Sequence, residues 1–78
     1  MGLDEIKGLL EAGFDDCRIE VEGEGEHIHV SIIGNVFDGV SKVKRQQMVY
    51  AQLNEKIKNG EIHAVTMTTL TPAERDAG

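Results

Sequence analysis

The sequence contains few of the residues that build aromatic cores or disulfide frameworks. Among its 78 residues are no tryptophan, two phenylalanines, one tyrosine and one cysteine. The core of the folded protein is therefore predicted to be mostly aliphatic. Cys17 has no second cysteine for an internal disulfide, which fits a reducing compartment.

Familiar catalytic motifs and targeting features are also missing from the sequence. It shows no Ser-His-Asp, HExxH, CxxC, Walker or GxGxxG pattern, so we predict that the protein is not an enzyme. The first residues are acidic where a secretory signal is basic, and no long apolar run follows them. A cytoplasmic protein is the resulting expectation.

Length and charge predict one small globular domain with a local basic segment. The domain spans residues 1–78 and has a net charge of −6. Residues 1–38 hold ten acids and two bases, whereas residues 39–60 hold one acid and five bases. Such a chain is a poor general binder of nucleic acid, but its basic segment is able to attract an anionic partner.

The first half of the chain begins with a predicted helix and strand. Residues 3–12 carry apolar side chains at helical spacing, and Gly13 stands where helices often end in a left-handed residue. Residues 17–22 then alternate apolar and polar, as a half-buried strand does. The side chains predicted to face inward are those of Cys17, Ile19 and Val21.

A short acidic turn at residues 23–26 predicts a β-hairpin with a second strand over about 27–33. The alternation places Ile28, Val30 and Ile32 on one face of this strand. His27 and His29 fall on the other face, away from the core.

The second half predicts a helix over residues 40–58, either continuous or broken near Gln46, followed by a strand over 62–69. Thr71-Pro72-Ala73-Glu74 indicates the capped start of a last helix. Helical spacing predicts a packed side and a free side for the long helix. The packed side is expected to hold Val43, Val49, Tyr50, Leu53 and Ile57, and the free side Lys44, Arg45, Met48, Gln52 and Lys56.

These elements, in the order αββα(α)β(α), predict an α+β domain with a three-stranded sheet and helices on one face. The two hairpin strands are antiparallel. The long helix allows the second and third strands to be parallel, which gives a mixed sheet.

Four segments carry the most specific pattern in the sequence: Phe37-Asp38-Gly39, Val43 to Tyr50, Ile62-His63-Ala64-Val65 and Thr71-Pro72-Ala73-Glu74. They resemble the signature of BolA-like proteins, and the likeness covers nearly the whole chain in order and spacing. Arg45-Gln46-Gln47 stands where many members carry Arg-His-Arg, a variant similar to the short bacterial YrbA-type branch. The resemblance implies a fold similar to the class II KH topology.

The same resemblance implies a role for His63 as a ligand of a [2Fe-2S] cluster shared with a monothiol glutaredoxin. Members of the family often place a second ligand in or just after the hairpin loop, where this chain has His27. The glutaredoxin cysteine and glutathione are expected to supply the remaining ligands, and no cluster is expected in the isolated chain. The function implied is iron-sulfur cluster trafficking or iron sensing, by a monomer or weak homodimer.

Two other functions remain open from the residues. One is a nucleic-acid-binding transcriptional regulator, with DNA as partner. Against it, no Gly-x-x-Gly clamp lies between the helices, and no aromatic residue lies among the bases of the predicted free side. The other is a protein-interaction domain without metal, anchored by Met48. The residues predicted to form the partner or nucleic-acid surface are Lys42, Lys44, Arg45 and Met48.

Cys17 is predicted to be a structural thiol. A nucleophilic cysteine needs nearby cations or a helix amide end to lower its pKa. Asp15 and Asp16 precede it in the sequence and disfavour the thiolate.

Overall fold

A computed structural model of the protein describes residues 2–24, 27–62 and 64–77. The helices and strands follow one another in the predicted α+β order. The elements are α1 (Leu3–Gly13), β1 (Arg18–Glu24), β2 (His27–Ile33), a 3₁₀ turn (Asn35–Phe37), α2 (Lys42–Lys58), β3 (Ala64–Leu70) and α3 (Pro72–Ala77).

The strands form one mixed sheet in the order β1-β2-β3. β1 and β2 are antiparallel, whereas β2 and β3 are parallel. The parallel pair is possible because α2 carries the chain back to the end of the sheet where β2 begins. This topology confirms the predicted mixed sheet. α2 is one continuous helix, which decides between the two alternatives left open by its sequence.

The core lies between one face of the sheet and the helices α1 and α2. β2 alternates strictly, with Ile28, Val30 and Ile32 buried and the residues between them more exposed. Phe37 is fully buried beside Phe14, with 5.8 Å between the ring centroids. The rest of the core is aliphatic, as the composition predicted. Its other members are Ile6, Leu10, Ile19, Val49, Leu53 and Ile62.

The turn between α1 and β1 differs from its prediction. α1 includes Gly13, and the residue with a left-handed backbone is Asp16, at φ 60°. Aspartate is one of the few residues with a side chain that occupy this region readily. β1 consequently begins one residue after Cys17.

The prediction for the two sides of α2 is correct in part: Val49 and Leu53 are buried as predicted, but other residues lie on the opposite side from the one predicted. The buried residues are Arg45, Val49 and Leu53, and Met48 packs partly against the core. Val43, Tyr50 and Ile57 are instead 66%, 42% and 36% exposed. The three buried residues are four positions apart and line the side of α2 that faces the sheet. The three exposed apolar residues are seven positions apart and form a separate stripe on the outer side of the helix.

The start of α3 confirms the predicted cap. The Thr71 hydroxyl accepts a hydrogen bond from the Glu74 amide at 3.1 Å, and the Glu74 carboxylate accepts one from the Thr71 amide at 2.8 Å. This reciprocal pair is a capping box. None of the helices in the described part of the chain is long and apolar enough to cross a membrane.

Candidate metal-ligand site on the open sheet face

The sheet face opposite the core presents polar side chains from all three strands, and we call it the open face. The register places Glu22, His29 and Thr66 in one row across the sheet, and Glu20, Ser31 and Thr68 in the next. Residues in such rows lie close enough to contact one another. The open face therefore gathers carboxylate, imidazole and hydroxyl groups from segments far apart in the sequence.

His27 is the first residue of β2 and is exposed on the open face. It pairs with Ala64 at the start of β3. A shallow depression of about 250 Å³ lies around it, lined also by Glu22, His29 and Thr66. The predicted orientation of His27 away from the core is confirmed, and its imidazole is accessible to a partner molecule.

His29 also faces away from the core, but two threonines of β3 hold its ring. Its Nδ1 lies 2.7 Å from the Thr66 hydroxyl oxygen, and its Nε2 lies 3.2 Å from that of Thr68. A neutral imidazole has one N–H donor and one acceptor nitrogen, so one threonine hydroxyl accepts a hydrogen bond and the other donates. His29 thus ties β2 to β3.

His63, the main predicted ligand, lies outside the described residues, so its role stays a prediction. Its sequence neighbours are described: Ile62 is buried, and Ala64 is the β3 residue that pairs with His27. In residues 2–24, 27–62 and 64–77, no three His, Cys, Asp or Glu side chains are grouped to hold a metal ion.

Of the four residues predicted to form a partner surface on α2, the structure exposes only the two lysines. Lys42 and Lys44 are exposed, as predicted. The prediction that Met48 is exposed is wrong, since it is half-buried against the core. The prediction that Arg45 belongs to this surface is also wrong, because its side chain is only 6% exposed. Its burial removes one cation from the predicted nucleic-acid surface.

Arg45 is buried because the fold supplies a partner for each nitrogen of its guanidinium group. It donates to the backbone carbonyls of Phe37 at 3.0 Å, Val40 at 2.8 Å and Thr69 at 3.0 Å. It also donates two hydrogen bonds to the Glu74 carboxylate, at 2.7 and 3.2 Å. A buried charge is tolerated when it is paired and hydrogen-bonded in this way. Arg45 therefore joins α2 to β3, α3 and the turn before α2.

The Arg45 side chain also changes the chemistry of Glu74. Its hydrogen bonds, together with that from the Thr71 amide, lower the pKa of the Glu74 carboxyl from 4.5 to about 2. The sequence motif predicted Glu74 as a helix cap but not its pairing with Arg45. The local motif gives no signal for an arginine 29 residues away.

Cys17 has the environment predicted for a structural thiol. It is half-buried and packs against the core beside Gly34. Burial raises the pKa of the Cys17 thiol, and the charges of Asp16 and Asp15 raise it further. The thiolate needed of a nucleophile or metal ligand is therefore disfavoured.

The fold places the chain in a class of small α+β domain found in solved structures. A bolA protein homologue from Coxiella burnetii has a TM-score of 0.82 and 28% identity, with 97% of each chain covered. The BolA domain of SufE1 from Arabidopsis thaliana also has a TM-score of 0.82, with 30% identity over 95% of this chain and 98% of that one.

Sequence comparison gives the family. The profile described as BolA-like protein matches residues 11–74. Acid stress protein IbaG of Escherichia coli strain K12 is 43% identical over 70 residues, which cover 90% of this chain and 83% of that protein. The chain belongs to the BolA-like family, as its motifs predicted.

Proposed function

We propose that this chain is a non-enzymatic partner of a monothiol glutaredoxin, and that the two proteins together hold a [2Fe-2S] cluster during cluster trafficking or iron sensing. The observation that supports the proposal best is the exposed imidazole of His27, at the end of the open face where β3 begins. His27 and His63 are the proposed ligands from this chain.

The two proposed ligands are related through Ala64, the first residue of β3. Ala64 pairs with His27, and His63 precedes Ala64 in the chain. This adjacency in the sequence supports the proposal that His27 and His63 bind the same cluster.

The donor set of the described residues fits a shared cluster. Cys17 is disfavoured as a thiolate, and the nitrogens of His29 are held by threonines. Among the described residues, His27 is therefore the open-face histidine whose imidazole is available to bind iron. The remaining ligands would come from the glutaredoxin cysteine and glutathione. Imidazole in place of thiolate raises the reduction potential of a two-iron centre and makes its ligation sensitive to pH.

The experiment mixes the purified chain with a cluster-loaded monothiol glutaredoxin and follows visible absorption and circular dichroism. We expect a spectral shift with the wild-type chain, no shift with His63→Ala and a reduced shift with His27→Ala. The matched control is His29→Ala, which removes a histidine of the same strand and face.

Two results would contradict the proposal. One is an unchanged glutaredoxin spectrum on mixing with the wild-type chain. The other is an unaltered shift with His63→Ala. If His27→Ala and His29→Ala had equal effects, His27 would lose its place in the ligand set.

A further inference from the structure

The outer side of α2 carries an unpartnered apolar stripe, formed by Val43, Tyr50 and Ile57. All three are exposed, although residues of this kind usually form the packed face of an amphipathic helix. They are spaced seven residues apart, so they lie nearly in line along about 21 Å of helix surface. Gln47 and Asn54 fall between them on the same side.

The shape of the stripe fits a helical partner. Helices that pack side by side share a seam with two core positions in every seven residues, and α2 fills one of these two with an apolar residue in each repeat. A helix laid along α2 would contact Val43, Tyr50 and Ile57 at once, because it rises at the same rate per residue. Gln47 and Asn54 interrupt the seam with amides, which favour one register at a cost in affinity.

The lysines near the two ends of the stripe favour a partner with acidic side chains. Lys42 and Lys44 flank Val43, and Lys58 follows Ile57. The salt bridges among the described residues involve none of these three lysines. α2 carries one acid, Glu55. The surface is therefore apolar along its middle and basic at both ends.

The basic ends disfavour a second copy of this chain. An antiparallel pair of α2 helices would bring Lys44 of one copy toward Lys58 of the other, and a parallel pair would align identical lysines. Like charges at such flanking positions destabilise helix pairing. Among the described residues, the acids of residues 1–38 form no salt bridge with these three lysines, since Glu5 pairs with Lys56 and Glu20 pairs with Arg18.

We propose that the outer side of α2 is a docking surface for an acidic amphipathic helix of a partner protein, with Val43, Tyr50 and Ile57 as the apolar contacts and Lys42, Lys44 and Lys58 as the charged ones. This surface goes beyond the proposed function, and its test requires neither glutaredoxin nor a cluster.

The test uses two labelled synthetic helical peptides of about 20 residues, long enough to span the stripe. Both carry leucine at heptad spacing; one has glutamate at the flanking positions, and the other has lysine there. Fluorescence anisotropy of each peptide titrated with the protein gives its affinity. We expect the acidic peptide to bind about tenfold more tightly, as a few exposed ion pairs allow. Added salt should reduce this difference.

Variants connect the binding to the stripe. Tyr50→Ser should weaken binding of the acidic peptide about tenfold, which corresponds to losing one large apolar contact. Lys44→Glu combined with Lys58→Glu should shift the preference toward the basic peptide. The matched control is Leu3→Ser, since Leu3 is 40% exposed on α1 against Gly23 of β1. Circular dichroism establishes that each variant is folded.

Several results would overturn the inference. Equal affinity for the two peptides would show that the lysines do not favour an acidic partner. Unchanged affinity of the Tyr50→Ser variant would show that the apolar stripe is not the binding surface. A single-stranded oligonucleotide that binds more tightly than the acidic peptide, in a manner dependent on Tyr50, would assign the surface to nucleic acid. A dimer in sedimentation analysis that Tyr50→Ser dissolves would assign it to a second copy.

Discussion

The two faces of the sheet share one backbone but carry opposite side-chain chemistry. On the covered face, Ile28, Val30 and Ile32 are at most 6% exposed and pack against other apolar residues. On the open face of the same strand, His27 is exposed and His29 is held by two hydroxyl groups. Strand alternation produces this division, because successive side chains point to opposite faces.

The difference between the faces shows how the fold couples stability to the candidate site. A shift of one residue in the β2-β3 pairing would move the isoleucines to solvent and the histidines into the core. Burial of the covered face therefore maintains the register that pairs His27 with Ala64 and brings His29 between Thr66 and Thr68. The apolar face thereby determines the geometry of the polar one.

Two adjacent isoleucines of β2 lie on opposite faces of the sheet, and their substitutions should differ most in their effect on stability. Ile32 is fully buried on the covered face, whereas Ile33 is half-buried on the open face. We expect Ile32→Ala to lower the free energy of unfolding by about 2–5 kcal/mol, since it leaves a cavity in the core. Ile33→Ala should lower it by about 1 kcal/mol or less. Urea unfolding measures both, and equal losses would contradict the division of the sheet into two faces.

The second test concerns the ion pair between the buried Arg45 and Glu74. The pKa of Glu74 is lowered to about 2 by Arg45, so its ionised form stabilises the fold above pH 4.5. That contribution is lost as pH falls from about 4.5 to about 2, where the carboxyl is protonated in both folded and unfolded chains. Glu74→Gln keeps a side chain able to cap α3 but removes the charge.

We therefore expect the urea midpoint of Glu74→Gln to be lower than that of the wild type at pH 6 and to approach it near pH 2. The matched control is Glu5→Gln, because the pKa of Glu5 is also lowered, but by an exposed pairing with Lys56. A gap between Glu74→Gln and wild type that stayed constant over this pH range would contradict the assignment to ionised Glu74.

The smallest expected effect lies on the open face. Thr66→Val and Thr68→Val each remove one hydroxyl partner of His29, and each should lower the free energy of unfolding by about 0.5–1.5 kcal/mol. In a double-mutant cycle with His29→Ala, each threonine change should have much less effect once the imidazole is gone. Fully additive losses would show that these hydrogen bonds do not stabilise the sheet.

Much of the fold was predictable because its signals are local. The alternation of residues 27–33 predicted β2, and Thr71-Pro72-Ala73-Glu74 predicted the start of α3. The resemblance to BolA-like proteins added the family, which the comparisons confirm. The orientation of His27 and His29 away from the core also followed from alternation. Alternation did not predict that two threonine hydroxyls would hydrogen-bond the imidazole of His29.

The buried face of α2 was predicted correctly at Val49 and Leu53 and mispredicted at Arg45 for a physical reason. Val43, Tyr50 and Ile57 are more hydrophobic than Arg45, so a ranking by hydrophobicity places them inside. The structure reverses this order because three carbonyls and the Glu74 carboxylate converge on the guanidinium group of Arg45. A buried arginine with all these partners remains desolvated, but its pairing and hydrogen bonds offset the cost of burial.

The sequence by itself determined the order of helices and strands, the two faces of β2 and the cap of α3, since each depends on residues within a few positions of one another. Only the tertiary structure decided which side of α2 is buried, how Thr66 and Thr68 hold His29, and why the pKa of Glu74 is lowered. Each of these features depends on a contact between residues 24 to 39 positions apart. They exist only once the sheet register has brought distant segments together, because hydrogen bonds and ion pairs act over a few ångströms whatever the separation along the chain.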